Sequence, residues 1–220
     1  GIGSFAAYLA VAMTLGLSVG VQAMVARRLG EERSQALLEP LNAGIWLSLL
    51  TGGLLTILLW FTADELIALL NNDPNVRAIG TDYLRWRVFG IVAVAINFAY
   101  RGFWNGVKQS MTYMKILVCM HLCNFAFSYC LIFGKFGFPE LGAAGSGLGT
   151  TISLGIGLLL YTLLTLKRYP KSALLYPFPS AEVFRTITRL AIPNSAQQTL
   201  MALGICLFYV LLGHVSVEAL

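Results

Sequence analysis

Apolar residues do not alternate along this chain; they come in long unbroken runs. Stretches 2–26, 36–61, 76–103, 111–133, 141–166 and 183–213 each exceed 18 residues, and in all but 76–103 charge is kept to the outer turns, as with Arg185 and Arg189 in the last. Hydrocarbon about 30 Å thick needs roughly 20 residues of helix at about 1.5 Å each, so each run predicts a membrane-spanning helix. The runs are too long for barrel strands, and an open strand edge in lipid would leave backbone N–H and C=O groups unpaired. The expectation is an all-α, polytopic transmembrane bundle with six spans. A short amphipathic stretch, 62–70, is expected to lie along the interface, and Asn71, Asn72, Asp73 and Pro74 read as a turn.

Composition strengthens this picture. Of 220 residues, 57% are apolar and 11% charged, and the mean hydropathy is +0.74. A water-soluble globule of this size would expose more apolar surface than it could bury. The 15 Lys and Arg residues set an orientation, because cations flanking a span stay on the cytoplasmic side. Eleven of them (Arg27, Arg28, Arg33, Arg101, Lys108, Lys115, Lys167, Arg168, Lys171, Arg185, Arg189) fall at one set of span ends, and only Arg77, Arg85, Arg87 and Lys135 at the other. The first span then enters the cytoplasm at Arg27. The net charge of +5 comes from these span ends and forms no nucleic-acid patch. The N-terminus lacks the basic region and short apolar core of a removable signal peptide. An opening of Gly1, Ile2, Gly3 and Ser4, and an end just after a span, predict a piece of something longer. The longest polar connection is 167–182, with Pro170, Pro177 and Pro179.

Candidate chemistry is sparse. Glycines at 16 and 20, at 44, 52 and 53, and at 142, 145, 147 and 149 predict close helix packing. Polar side chains within spans must face a partner or a wet cavity. Asn124 and Ser128 are four residues apart and share a helix face, a polar stripe suited to a cation or amine, although helix-to-helix hydrogen bonding accounts for them equally well. His121, three residues before Asn124, is a candidate titrating group. Cys119, Cys123 and Cys130 lie on roughly one face, lack a fourth ligand and CxxC spacing, and read with Cys206 as small apolar filler. The six Met residues and the aromatic side chains read as packing, as interfacial belt, or as the lining of a pocket for flat cations. No HExxH, Walker loop or intramembrane acid pair is present in the sequence, which predicts a non-enzyme.

Gly16 to Gly30, Arg101 to Gly106, Asn124 to Gly145 and Ala191 to Gln198, in that order, resemble segments of the multidrug and toxic compound extrusion (MATE) transporters. Gly16, Gly20, Gln22, Arg27, Arg28 and Gly30 resemble that family's second helix and the basic loop after it. The stretch from Arg101 through Trp104 to Gly106 resembles the end of its fourth helix. Asn124 to Gly134, then Phe136 to Gly145, resemble its fifth helix, external loop and the start of its sixth. Ala191, Ile192 and Pro193, followed by Gln197 and Gln198, resemble its seventh. The resemblance implies a twelve-helix antiporter of two six-helix lobes in the bacterial inner membrane. It would export small organic cations in exchange for Na⁺ or H⁺, with no cofactor, and work as a monomer among membrane lipids. Residues 1–166 would hold helices two to six of the N-lobe, 167–182 the cytoplasmic inter-lobe loop, and 183–220 the first C-lobe helix.

Carried over position by position, Asn124 matches a cation-site asparagine and Thr150 a polar position of the sixth helix. Ser128 stands where many members carry an aspartate, and Met201 where another branch carries a glutamate. Gly106 to Ser110 departs from the family's commoner Gly-Asp-Thr form. The expected substrate and cation site is Asn124, Ser128, Thr150 and Gln197. A lipid-linked glycan flippase of the same superfamily would need a strongly cationic cavity, whereas the span interiors read as neutral. A membrane-embedded transferase would need a paired-acid metal motif.

Overall fold

Long uncharged runs leave backbone amides no partner but their own helix, and the described residues form helices with no strand. The computed structural model describes residues 2–32, 36–70, 74–169, 174 and 178–215, with side chains described from 7 to 205 apart from 33–35, 69–73, 170–173 and 175–177. The predicted turn at 71–73, Arg33, Pro170, Lys171, Pro177 and the Cys206 side chain lie outside the described residues. The helices are α1 (Ile2–Gly30), α2 (Leu38–Leu70), α3 (Pro74–Val88), α4 (Gly90–Gly106), α5 (Ser110–Phe133), α6 (Ala143–Arg168) and α7 (Ala181–Val215).

Helix α1 is central and packs on α2, α4 and α7, while α6 lies between α5 on one side and α3 and α4 on the other. Small residues make these approaches close. A Cβ at Gly16 would strike the Ala191 carbonyl, and one at Gly20 would lie 2.8 Å from the Ile187 carbonyl, so α7 is seated directly on the α1 backbone. Gly145, Gly149 and Gly157 admit α5 in the same way, and Gly147 admits α3. The core between α1, α2, α4 and α6 is aromatic: Tyr100, Phe103 and Trp104 are fully buried, and Tyr100 stacks on Tyr161 with ring centroids 5.4 Å apart. Outward faces are apolar too, with Phe61 76% and Phe125 75% exposed, as lipid-facing residues should be. Helix α5 ends at Gly134, whose left-handed φ of 62° lets the chain turn back.

Among the described residues, four helices are long and apolar enough to cross a membrane by length and composition: Ala7–Gly30, Leu38–Ala68, Ser110–Phe133 and Ala143–Arg168. Three sequence expectations change. The span 76–103 is not one regular helix: it carries a one-residue irregularity at Phe89, which itself keeps helical dihedrals of φ −59° and ψ −26°, and α3, at 15 residues, and α4, at 17, lie on either side of it. The stretch 62–70 is no separate interfacial helix but the continuation of the 33-residue α2. Its amphipathic pattern serves packing instead, since Ala63 and Ile67 bury against Leu84 and Val88 of α3. Two glycines also leave the packing class: Gly53 faces open space, and Gly142, with φ 54°, precedes α6 as its cap.

The basic span ends gather on one face of the bundle. Arg28 pairs with Glu39 at 2.7 Å, and Glu39 also accepts the Ser180 N–H at 3.0 Å, which ties the end of α1, the start of α2 and the start of α7 together. Arg101 lies over the Tyr113 ring at 5.6 Å on the same side. At the opposite face Arg77 pairs with Asp64, joining α3 to α2.

Candidate functional site: a polar layer across α3, α5 and α6

Asn124 comes from the half of α5 nearer Phe133, and Thr150 from the second turn of α6. At about 1.5 Å per residue both lie roughly 10–14 Å in from the face that carries Arg77 and Glu140. The Asn124 Nδ2 donates to Thr150 Oγ1 at 3.1 Å, and that hydroxyl donates to the Ser146 carbonyl at 2.9 Å. Ser128 stands one turn beyond Asn124, against the bare backbone of Gly149, where a Cβ would lie 2.7 Å from its Oγ. Three of the four expected site residues therefore meet at the α5–α6 contact, all half-buried. Gln197 does not join them: it is exposed on α7, which packs on α1 and α2. His121 is exposed on α5, and Met201 is 62% exposed on α7.

A second polar set, on the opposite side of α6, was harder to read from sequence. Where α3 gives way to α4, the Trp86 carbonyl accepts the Thr151 hydroxyl at 2.9 Å and the Val88 carbonyl accepts the Thr56 hydroxyl at 3.1 Å. In a continuous helix these two carbonyls would serve the N–H groups of Gly90 and Val92. Each threonine follows a glycine by four residues, Gly52 before Thr56 and Gly147 before Thr151. Those glycines bring the α2 and α6 backbones close enough for the hydroxyls to reach, as Gly52 abuts Val92 and Gly147 abuts the Tyr83 carbonyl. Farther along, Asn97 donates to the Leu154 carbonyl at 3.1 Å, and the Tyr100 and Thr162 hydroxyls lie 3.0 Å apart.

Arg87 sits inside this set. The sequence reading placed it at a span end among neutral interiors, but it lies 13 residues, about 20 Å of helix, from the start of α3. Its guanidinium hydrogen-bonds Tyr83, while its Nη1 is sealed from solvent with no partner among the described residues. That nitrogen is packed beside Gly90, where a Cβ would lie 3.2 Å from it. The span interiors are therefore not uniformly neutral. The sequence bounds 76–103 already put Arg87 twelve residues into that run, and counting it among the span-end cations overlooked this. Among the described residues no group of three or more His, Cys, Asp or Glu could hold a metal.

A family model described as MatE matches residues 1–130. The chain belongs to the MatE family. It is similar to a probable multidrug resistance protein NorM of Idiomarina loihiensis, 28% identical over 191 residues that cover 84% of this chain and 41% of that protein. It is also similar to the probable multidrug resistance protein YoeA of Bacillus subtilis, 25% identical over 202 residues, covering 90% of this chain and 44% of that one. Among solved structures, an outward-facing multidrug resistance MATE transporter of the MOP superfamily superposes with a TM-score of 0.80 at 22% identity, covering 93% of this chain and 46% of that one. An inward-facing structure gives 0.76 at 21% identity, covering 89% and 44%. At those identities the structural likeness concerns the fold. The chain spans less than half the length of these relatives. Its helical fold and family make it a multi-pass membrane protein.

Proposed function

We propose that this chain is part of a secondary multidrug antiporter that exports small organic cations in exchange for Na⁺ or H⁺ across a bacterial inner membrane. The observation that carries the reading is the Asn124–Thr150–Ser128 cluster, held at depth within a bundle of the MatE family. Its oxygens and amide sit where lipid offers no competing hydrogen bonds. A cation shedding water there would find the Asn124 and Thr150 oxygens and the Ser128 hydroxyl within one helix contact. On this reading residues 1–166 are N-lobe helices, 167–182 link the lobes, and α7 is the first helix of the C-lobe. Alternating access then comes from one lobe rocking against the other around the central site. Gln197, on α7, would reach that site from the second lobe and not through the α5–α6 contact.

The test uses everted vesicles containing the complete protein. Ethidium or norfloxacin should accumulate when a Na⁺ or H⁺ gradient is imposed, and N124A with T150V should slow it. No movement of either compound under either gradient overturns the proposal.

A further inference from the structure

We infer that the cavity along the first turns of α7 is a binding site for an anionic phospholipid, with Arg185 and Arg189 holding its phosphate and the apolar face of α7 beyond them taking its acyl chains. The site lies apart from Asn124, Ser128 and Thr150, and it does not rest on the transporter reading. The cavity measures about 490 Å³ and is lined by Glu182, Arg185, Thr186, Arg189 and Leu190. Arg185 and Arg189, four residues apart, share a helix face, and both are exposed. Neither is in an ion pair or hydrogen bond with a described residue. The arginines of the adjoining cleft differ, since Arg27 pairs with Glu31 at 2.8 Å and Arg28 with Glu39 at 2.7 Å. Glu182, the carboxylate in the lining, also acts on the charge of Arg27, and the Thr186 hydroxyl donates to the Glu182 carbonyl at 2.8 Å. The lining therefore sets two cations against one anion that is shared with α1.

Depth decides which anion fits. Ile187 is seated on Gly20 and Ala191 near Gly16, so Arg185 and Arg189 stand level with the α1 stretch from Gln22 to Ser18, roughly 7–14 Å of helix inside Arg27. That layer holds lipid phosphates and glycerol backbones, and water thins there, so a guanidinium that cannot lose its proton needs an anionic partner. Farther in, Ile192, Ala196 and Leu200 continue the same face at steps of three and four residues, with Ile192 62% and Leu200 69% exposed. The face toward α1 is a different one, made by Ile187, Ala191 and Ser195. A charged pair above an exposed apolar strip matches a headgroup above its acyl chains, and one phosphate can accept from both guanidinium forks. Free inorganic phosphate would match the pair and leave the strip without an occupant.

The experiment is native mass spectrometry of the complete protein, stripped of lipid in detergent and titrated with phosphatidylglycerol. One phosphatidylglycerol should bind more tightly than those that follow, and R185Q/R189Q should weaken that step by about tenfold or more, as loss of charge-assisted hydrogen bonds to phosphate requires. Phosphatidylcholine, which has no net charge, should bind wild type and variant within about twofold of each other. K108Q/K115Q removes the same charge from exposed positions at the basic face, outside the cavity, and should leave the tight phosphatidylglycerol step within about twofold. If the double arginine variant fails to fold, R185Q and R189Q singly carry the test, each weakening the step by a smaller factor. Equal weakening by K108Q/K115Q would mean diffuse attraction to the whole basic face, and displacement of the lipid by millimolar inorganic phosphate would mean a site for free phosphate. Either result, or no change in the arginine variants, overturns the inference.

Discussion

At the residue scale, the Asn124–Thr150 pair decides whether the α5–α6 contact is a site or only a joint. Hydrogen bonds between membrane helices average about 0.6 kcal/mol by double-mutant cycles, because the unfolded chain in lipid finds other partners. Asn124 to Leu combined with Thr150 to Val should therefore show a coupling of about that size in detergent unfolding titrations. A coupling indistinguishable from zero would mean that the 3.1 Å contact contributes nothing to stability. Gly149 offers a sharper probe. A valine there must displace the Ser128 backbone and hydroxyl, which lie within 3.0 Å of the position its Cβ would take. G149V should lower the unfolding midpoint by the equivalent of about 1–3 kcal/mol of overpacking, and G53V, in open space, should leave it nearly unchanged. Similar losses in both would argue against the packing described.

At the element scale, the informative unit is the interrupted helix. Nothing in the stretch from Arg85 to Ile91 carries a proline, and Gly90 alone does not forbid a helix. Phe89 itself keeps helical dihedrals, and the neighbours beside this irregularity present a glycine and, one turn on, a threonine from each side. Thr56 and Thr151 bond different carbonyls from different helices and share no atom. T56V and T151V should then each cost about 1 kcal/mol and combine additively. Thermal melts of the two single variants and the double variant check this. Strong non-additivity would mean that the two hydroxyls support one shared distortion.

At the scale of the whole molecule, Glu39 joins three helix ends by accepting from Arg28 and from the Ser180 N–H. Ser180 in turn accepts the Val183 N–H at 3.4 Å and so caps α7. E39Q keeps the shape and removes the charge. It should raise hydrogen exchange in the first turn of α7, near Glu182 and Val183, without raising it in the middle of α1, as mass spectrometry would detect. If exchange there does not change, the ends are held by α1–α7 packing at Gly16 and Gly20 alone. Alternating access requires two lobes, so the isolated 220-residue chain is expected to move no ethidium in vesicles where the complete protein does.

Sequence alone determined the helical class, the number of long apolar runs and the gathering of basic ends on one face. Each of these follows from local rules: a lipid-embedded backbone must satisfy itself, and cations stay in water. The pairing of Asn124 with Ser128 on one face was legible from their four-residue spacing. What the tertiary structure decided depends on contacts between distant segments. Thr150 completes that face because Gly145 and Gly149 let α6 lie against α5, and Gln197 falls outside it because α7 is seated on α1. The break at Phe89 and the buried guanidinium of Arg87 belong to the same class. Beside them, hydroxyls 32 and 65 residues away along the chain reach the Val88 and Trp86 carbonyls, and a hydropathy pattern records how apolar each position is, without recording which helix will stand beside it.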